Sequence, residues 1–575
     1  MASRKVLIVG GVAGGATCAA RLRRLDEKAE IVVFEKGPYP SYANCGLPYY
    51  TGDIITDEAK LLVATPDLFR ARFNIDVRPE HEVVRINRKE KRIEVRDLRR
   101  ETTYWETYDA LVLSPGAAPV RPPLPGIDLG GIFTLRTIPD SRAIRAWIQD
   151  TDAHQAAIIG GGFIGLEMTE SLAHRGLQVA IVEMCDQVMP PLDREMAEYV
   201  YDRLLRDQVS VRLGDPVARF DGANGRVNSV VARSGARIPA DIVILSVGVK
   251  PETKLAREAE LEIGARGGIR VDESMRTSDP AIWAVGDAVE VRDVVTGEFS
   301  LVPLAGPANR QGRIAADAIC GRPARFRGVQ ATAVCGVFGL TAAITGVSEK
   351  RLSQANDSDY EVVYLHPLDH AGYYPGAKTM HLKLIFRRSD GLVLGAQGVG
   401  EAGVERRIDV ISMAIQKGST VFDLEEAELC YAPQFGAAKD AVNLAGMVAA
   451  NVVRGDVSLA KWGNLPHPDA FLLDVREPGE FKGGSITGAT NIPLSQLRGR
   501  LGDLPRNRPI WVNCRVGQRS YIAVRILQQN SFDVHNLSGG YSTWEVWYPK
   551  GLPSVKGGAT QEGVTGVQPT EDRAA

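Results

Sequence analysis

The sequence predicts an α/β chain with two successive dinucleotide-binding units, and three observations predict it. Lys5 to Lys36 reads as strand, Gly-rich turn, helix and strand, with Glu35 closing the second strand. The same series recurs from Ala156 to Glu183. Two later apolar runs, Ala110 to Leu113 and Ile282 to Val285, each end in a Gly turn, as buried strands of a parallel sheet do.

The chain has 575 residues, 44% hydrophobic and 24% charged, the make-up of an ordinary globular protein with roughly three or four domains. A formal net charge of −2 gives no reason to expect nucleic acid or an anionic membrane as partner. The first strand begins at once, with no apolar run leading to a cleavage site, so neither a signal peptide nor a membrane span is expected. Seven cysteines without close pairing point to a reducing, cytoplasmic setting.

In the first turn, Gly10-Gly11-Val12-Ala13-Gly14-Gly15, glycine lets the backbone approach a pyrophosphate at the N terminus of the following small-residue helix. Glu35 is placed to take ribose hydroxyls. Val12 stands where the usual fingerprint has its middle glycine. The second turn, Gly160-Gly161-Gly162-Phe163-Ile164-Gly165, is complete, and its next strand ends at Glu183. Two such units imply two nucleotides, FAD first and a nicotinamide second. Glu183 would accept from both ribose hydroxyls and repel a 2′-phosphate. Met184, Cys185 and Asp186 add no cation, so NADH is expected over NADPH. Asp287 is placed to bond the flavin ribityl or pyrophosphate region, and a capped helix on Asn309 to Arg313 would close the FAD half. A tight turn without a ligand is the competing reading of each loop.

Between the loops lies Ser41-Tyr42-Ala43-Asn44-Cys45-Gly46-Leu47-Pro48-Tyr49, with no second cysteine a few residues from Cys45. A lone thiol beside a flavin cycles between thiolate and a mixed species: a disulfide with a small thiol, a persulfide or a sulfenic acid. Asn44 and the Gly46 backbone are candidates to donate hydrogen bonds to the thiolate, and Leu47-Pro48 to stiffen the turn. A buried structural cysteine is the alternative.

On these motifs, residues 1 to about 447 resemble the coenzyme A disulfide reductase and NADH oxidase branch of the pyridine nucleotide-disulfide reductases. The resemblance also accounts for Val12. It implies two Rossmann-like domains, FAD-binding (1–118 and 254–325) and NAD-binding (119–253), and an α+β dimerisation domain at 326–447. It assigns FAD to Gly10, Gly11, Gly15, Glu35, Lys36, Val83, Ser114, Gly116 and Asp287, and the nicotinamide dinucleotide to Gly160, Gly162, Gly165 and Glu183. Cys45 would form a mixed disulfide with coenzyme A or a related thiol, and Thr17, Arg24, Ser41, Asn44 and Lys439 would line the coenzyme A site. Tyr373 and Tyr431, in the Gly/Pro-rich loops around His370 to Gly376 and Cys430 to Phe435, would reach from the partner subunit of a homodimer toward the redox cysteine. A phenol there suits a general acid for the departing thiolate. Read from residues alone, tyrosines in such loops more often pack than do chemistry, and a solvated surface lysine is the competing reading of Lys439.

After a linker at 448–457 the composition changes. Phe471 to Glu477, Gly488 to Leu494, Ile510 to Ser520 and Gly539 to Trp544 together resemble a single α/β rhodanese domain at 458–553. Cys514 would sit at a strand end, in a loop whose backbone amides and Arg519 charge stabilise an anionic persulfide. The spacing Cys514-x4-Arg519 also fits a phosphatase, but the flanking motifs argue against it. Ser485 stands where such domains often have His. Residues 554–575 read as a disordered polar tail. Cys18, Cys185, Cys320, Cys335 and Cys430 read as small core residues, and no histidine has metal-ligand spacing, so no metal is expected.

The fusion implies NADH-dependent reduction of small persulfides, polysulfides or disulfides, coenzyme A derivatives among them, with Cys45 against the flavin and Cys514 carrying sulfane sulfur. Two alternatives stand beside it. One is an NADH oxidase or peroxidase cycling Cys45 through sulfenic acid. The other is a redox-regulated sulfur-relay module that docks protein partners.

Overall fold

The structure, a computed structural model, describes residues 4–549; the tail expected at 554–575 lies outside them. The chain divides into two compact units at Arg454/Gly455. Among the described residues no helix is long and apolar enough to cross a membrane.

The first sheet orders its strands Ile282–Ala284, Ala110–Leu113, Lys5–Val9, Glu30–Glu35 and Asp76–Pro79, all parallel. A parallel sheet covered on both faces needs continuous apolar strands, and Val6, Leu7 and Ile8 are fully buried. The second sheet repeats the plan with Ser210–Arg212, Gln178–Val182, Gln155–Ile159, Ile242–Leu245 and Ile132–Phe133. Ala117–Pro119 pairs antiparallel with Val249–Pro251, so the outgoing and returning connections between the two sheets lie side by side.

Both Gly turns obey the same steric rule. Gly10 has φ +95° and Gly160 φ +103°; a Cβ at either would fall 2.0 or 2.5 Å from the carbonyl oxygen of Ser114 or Ser246. Val12 and Gly162 cap the following helices, Ala13–Leu25 and Phe163–His174, at φ −92° and −83°. Neither φ lies in the left-handed region that favours glycine, so nothing in φ requires a glycine where the first copy has Val12.

The helix Ala305–Ile319 crosses Ala13–Leu25 at close range: a Cβ on Gly312 would lie 2.3 Å from the Gly14 carbonyl oxygen. This helix starts four residues before Asn309, and its N-cap, Leu304, provides no side-chain cap, contrary to the capped start expected.

The third sheet is antiparallel, ordered Ala333–Val337, Leu340–Gly346, Val393–Gly400, Met380–Arg387 and Tyr360–Leu365, with helices Val404–Lys417 and Ala441–Val453 packed on it. Residues 448–453, expected as linker, are the last turns of the second helix, because Ala449 and Ala450 are buried there. Lys383 Nζ is fully buried among Asp193 (2.8 Å), Glu195 (2.5 Å) and Glu349 (2.8 Å), so a lysine supplies the cation this carboxylate cluster needs.

The second unit holds a parallel sheet ordered Leu459–Ala460, Val534–Leu537, Ile510–Asn513, Phe471–Asp474 and Thr490–Asn491. Beneath it Arg476 bonds Asp474 at 2.7–3.0 Å, and Asn513 donates to Asp474 at 3.1 Å, satisfying a buried charge pair.

Candidate active site

Each Gly turn is held from the side of its acid. Glu35 accepts from the backbone N–H of Gly11 and of Gly37, both at 2.8 Å. Glu183 repeats this with Gly161 at 2.6 Å and Cys185 at 2.8 Å. Burial pushes the Glu35 carboxyl up. The helices that follow have no side-chain cap on their first turns, and a Cβ at Gly162 would meet no protein atom. Free N-terminal amides beside open space are what a dinucleotide pyrophosphate requires, so the residues fit FAD in the first unit and a nicotinamide dinucleotide in the second.

The other residues expected at FAD are distributed unevenly. Gly116 (φ +74°) follows Ser114, whose N–H donates to Val9 O at 2.7 Å. Asp287 follows Gly286, whose N–H donates to the buried Gln311 Oε1 at 2.7 Å, a support the sequence did not reveal. Burial raises the Asp287 carboxyl, and Arg136 opposes the rise. Lys36 is exposed and pairs with Glu82 at 3.1 Å. The Val83 side chain is buried in the core.

Cys45 lies in a one-turn 3-10 helix, Asn44–Gly46, and is exposed. The loop is tied to the first Gly turn by Ser41 N–H to Gly11 O (2.8 Å) and to the neighbouring segment by Ala43 N–H to Leu61 O (2.8 Å). The expected thiolate donors are differently employed. Asn44 Oδ1 accepts from the Cys45 N–H at 3.1 Å and faces the sulfur at 3.7 Å, while the Gly46 N–H closes the turn on Ala43 O at 2.9 Å. The thiol is pushed up, first by the protein that strips water from one side of the sulfur, then by the Glu167 and Asp287 carboxylates.

Glu167 is the residue the sequence reading missed. It lies one turn into Phe163–His174, the helix that leaves the second Gly turn, and it accepts from Tyr49 Oη at 3.2 Å. Burial raises its carboxyl, with Glu170 adding to the rise. An acid two residues after the last glycine of the turn was the available signal. Its position links the nicotinamide half to the Cys45 loop.

A cavity of about 260 Å³ brings together Thr17, Arg24 and Ser41 with Ala16, Phe69 and Phe73. Thr17 Oγ1 donates to Asn309 Oδ1 at 2.5 Å, so the long helix borders this side. Asn44 and Lys439 are not among the lining residues; Lys439 is exposed on the third domain.

On that domain the hydroxyls of Tyr373 and Tyr431 hydrogen-bond at 2.7 Å, with the side chains 76% and 47% exposed. This bond raises the Tyr431 phenol. Their loops are pinned from beneath by Arg407, which donates to Asp369 O and to Asp440 Oδ2, both at 2.7 Å. Arg407 holds the Asp440 carboxyl down against its burial. The neighbouring Cys430 is also exposed, not a core residue, because its loop follows the short helix Val421–Glu425 outward.

In the second unit Cys514 ends the strand Ile510–Asn513 and is buried. The Gly517 N–H donates to its sulfur at 3.1 Å, in a loop that turns at Gly517 (φ +97°) into the helix Gln518–Gln528. The loop is closed by the Tyr541 N–H on Cys514 O at 2.7 Å, and Gly540 is required there: a Cβ would lie 2.3 Å from that oxygen. Arg519 reaches the thiol but bonds Glu480 more strongly, twice at 2.7 Å, and pushes the Glu480 carboxyl down to about 2. The cation expected for the sulfur alone is thus shared, an arrangement that aims the guanidinium while tempering its charge.

The chain is similar to known proteins along most of its length. Residues 4–312 match the pyridine nucleotide-disulphide oxidoreductase family, 332–442 its dimerisation domain and 459–546 the rhodanese-like domain. The coenzyme A disulfide reductase of Staphylococcus haemolyticus is 35% identical over 447 residues, covering 78% of this chain and 99% of that protein. Among solved structures, reduced Bacillus anthracis CoADR-RHD shares 46% identity at TM-score 0.94, covering 96% of this chain and 99% of its own. A NAD-dependent persulfide reductase from A. fulgidus shares 38% at TM-score 0.88, covering 94% and 100%. The chain belongs to the pyridine nucleotide-disulphide oxidoreductases, FAD- and pyridine-nucleotide-dependent enzymes, and carries a dimerisation domain and a C-terminal rhodanese-like domain.

Proposed function

We propose that this chain is an NADH-dependent reductase of small persulfides, polysulfides and disulfides, coenzyme A persulfide and coenzyme A disulfide foremost. The observation that carries the proposal is the single exposed Cys45, with no neighbouring cysteine, in a loop tied to one nucleotide turn and faced by Glu167 from the helix of the other. The coenzyme A disulfide reductase and persulfide reductase relatives support it.

Cys45 thiolate attacks the sulfur of the bound substrate. A Cys45–sulfur bond forms as the substrate S–S bond breaks, and hydrosulfide leaves a persulfide or a thiol leaves a disulfide. FAD held at the Gly10–Gly15 turn would supply, from NADH, the electron pair that returns the mixed disulfide to the Cys45 thiolate. The Thr17–Arg24–Ser41 cavity holds the coenzyme A part of the substrate, with Asn44 beside the sulfur and Lys439 of a partner subunit toward a phosphate. The hydrogen-bonded Tyr373–Tyr431 pair, also from the partner of a cytoplasmic homodimer, delivers the proton to the leaving sulfur. Glu183 excludes the 2′-phosphate of NADPH. Cys514 accepts sulfane sulfur as a persulfide held by the Gly517 N–H and Arg519, and gives it to a small thiol that Cys45 then serves.

The test is NADH consumption and hydrosulfide release with coenzyme A persulfide. Wild type and Cys514→Ser turn over, and Cys45→Ser is inactive. Full turnover by Cys45→Ser, or oxygen consumption matching the persulfide rate, overturns the proposal.

A further inference from the structure

We infer that the first unit holds a second anion site, separate from the coenzyme A cavity, that binds a small phosphate monoester between the helix Ala305–Ile319 and the segment 325–328. A cavity of about 280 Å³ opens there, and Arg310, Arg313, Arg325 and Arg327 are among the residues that line it. It shares no lining residue with the Thr17–Arg24–Ser41 cavity.

Charge decides the class of ligand. No lining residue is acidic. Arg325 pairs with Glu273 at 2.8 Å. Among the described residues Arg310, Arg313 and Arg327 pair with no carboxylate. Four guanidinium groups therefore face one carboxylate, a local excess of three positive charges on a concave surface. Such an excess is relieved by a multivalent anion, and the planar guanidinium fork matches phosphate oxygens. Arg310 lies over the Phe326 ring, 5.2 Å from its centroid. Partial burial of its side chain draws the Arg310 proton affinity down.

A second feature asks for more than bare phosphate. Gln330 is buried and lines the cavity; its Nε2 donates to Thr345 at 3.0 Å and to Ser412 Oγ at 2.7 Å, which fixes the amide orientation. Its Oε1 is left buried without a donor. Beside it, the apolar floor of Ile314 and Phe326 suits a sugar or base.

The test is calorimetric titration of the full-length FAD-loaded enzyme with AMP and, separately, with inorganic phosphate. NAD+ and coenzyme A are present at saturation to fill their own sites. The expected result is one AMP site per chain that weakens about tenfold or more, ~1.4 kcal/mol or above, in Arg313→Ala/Arg327→Ala. Lys254→Ala, which removes a distant exposed charge, leaves it unchanged. Both arginines are exposed, and unchanged FAD content and melting temperature in the double variant exclude a folding defect. Arg313→Lys/Arg327→Lys, which keeps the charge and loses the fork, gives an intermediate affinity. Inorganic phosphate binding as tightly as AMP retains the site and identifies its ligand as phosphate itself. AMP and phosphate both failing to bind, or AMP binding unaltered in the double alanine variant, overturns the inference.

Discussion

Cys45 shows how charge around a sulfur sets its reactivity. Burial on one side, Glu167 and Asp287 all disfavour the thiolate and push the Cys45 thiol up. Removing a neighbouring negative charge must move the titration the other way. Glu167→Gln is therefore expected to shift the pH midpoint of Cys45 alkylation by iodoacetamide downward; an unchanged or higher midpoint contradicts the placement of Glu167. Tyr431→Phe removes one hydroxyl of the phenol pair and leaves the ring in place. It is expected to lower kcat for coenzyme A persulfide about a hundredfold with little change in KM, measured by hydrosulfide release. Neither Glu167 nor the phenol bond has a motif of its own. The sequence pointed to the tyrosines only through resemblance, and to Glu167 only by its place two residues after Gly165.

At the scale of elements, two contacts carry much of the burden. Gly312 lets the helix Ala305–Ile319 approach Ala13–Leu25 to backbone contact, and the N terminus of Ala13–Leu25 is where the FAD pyrophosphate is expected. Gly312→Ala is expected to cost about 1–3 kcal/mol and to lower FAD retention, read by thermal unfolding and by flavin absorbance after gel filtration. Lys383 joins the strand Met380–Arg387 to Asp193 and Glu195 of the second nucleotide unit and to Glu349. Lys383→Met leaves three carboxylates facing one another with no cation, and is expected to destabilise the first unit by about 3–5 kcal/mol in chemical denaturation. The Gly turns were legible in the sequence because sterics dictate them locally. The lysine was not, since its partners lie up to 190 residues away in the chain.

For the whole molecule the decisive question is where the phenols act. Tyr373 and Tyr431 are exposed on the third domain, and the proposed mechanism has them act on the Cys45 site of another subunit. Cys45→Ser and Tyr431→Phe homodimers, each defective, are expected to regain activity when unfolded together and refolded as a mixture. Each mixed dimer then contains one site with both groups intact, and an equal mixture should recover about a quarter of wild-type activity. No recovery, with mixed dimers shown by mass, places the phenols in the wrong subunit.

The sequence by itself determined the two nucleotide units, their acids Glu35 and Glu183, the lone Cys45 and the Cys514 loop. Each of these is a local rule, in which a glycine angle, a strand end or a residue spacing suffices. Tertiary structure alone decided that Glu167 and Asp287 face Cys45, that Asn44 and Gly46 spend their hydrogen bonds on the turn, that Glu480 shares Arg519, and that four arginines wall one cavity. Those are long-range juxtapositions, fixed by packing sheets and helices that the chain order does not place together. Electrostatics acts through distance in space, and spacing along the chain does not record it.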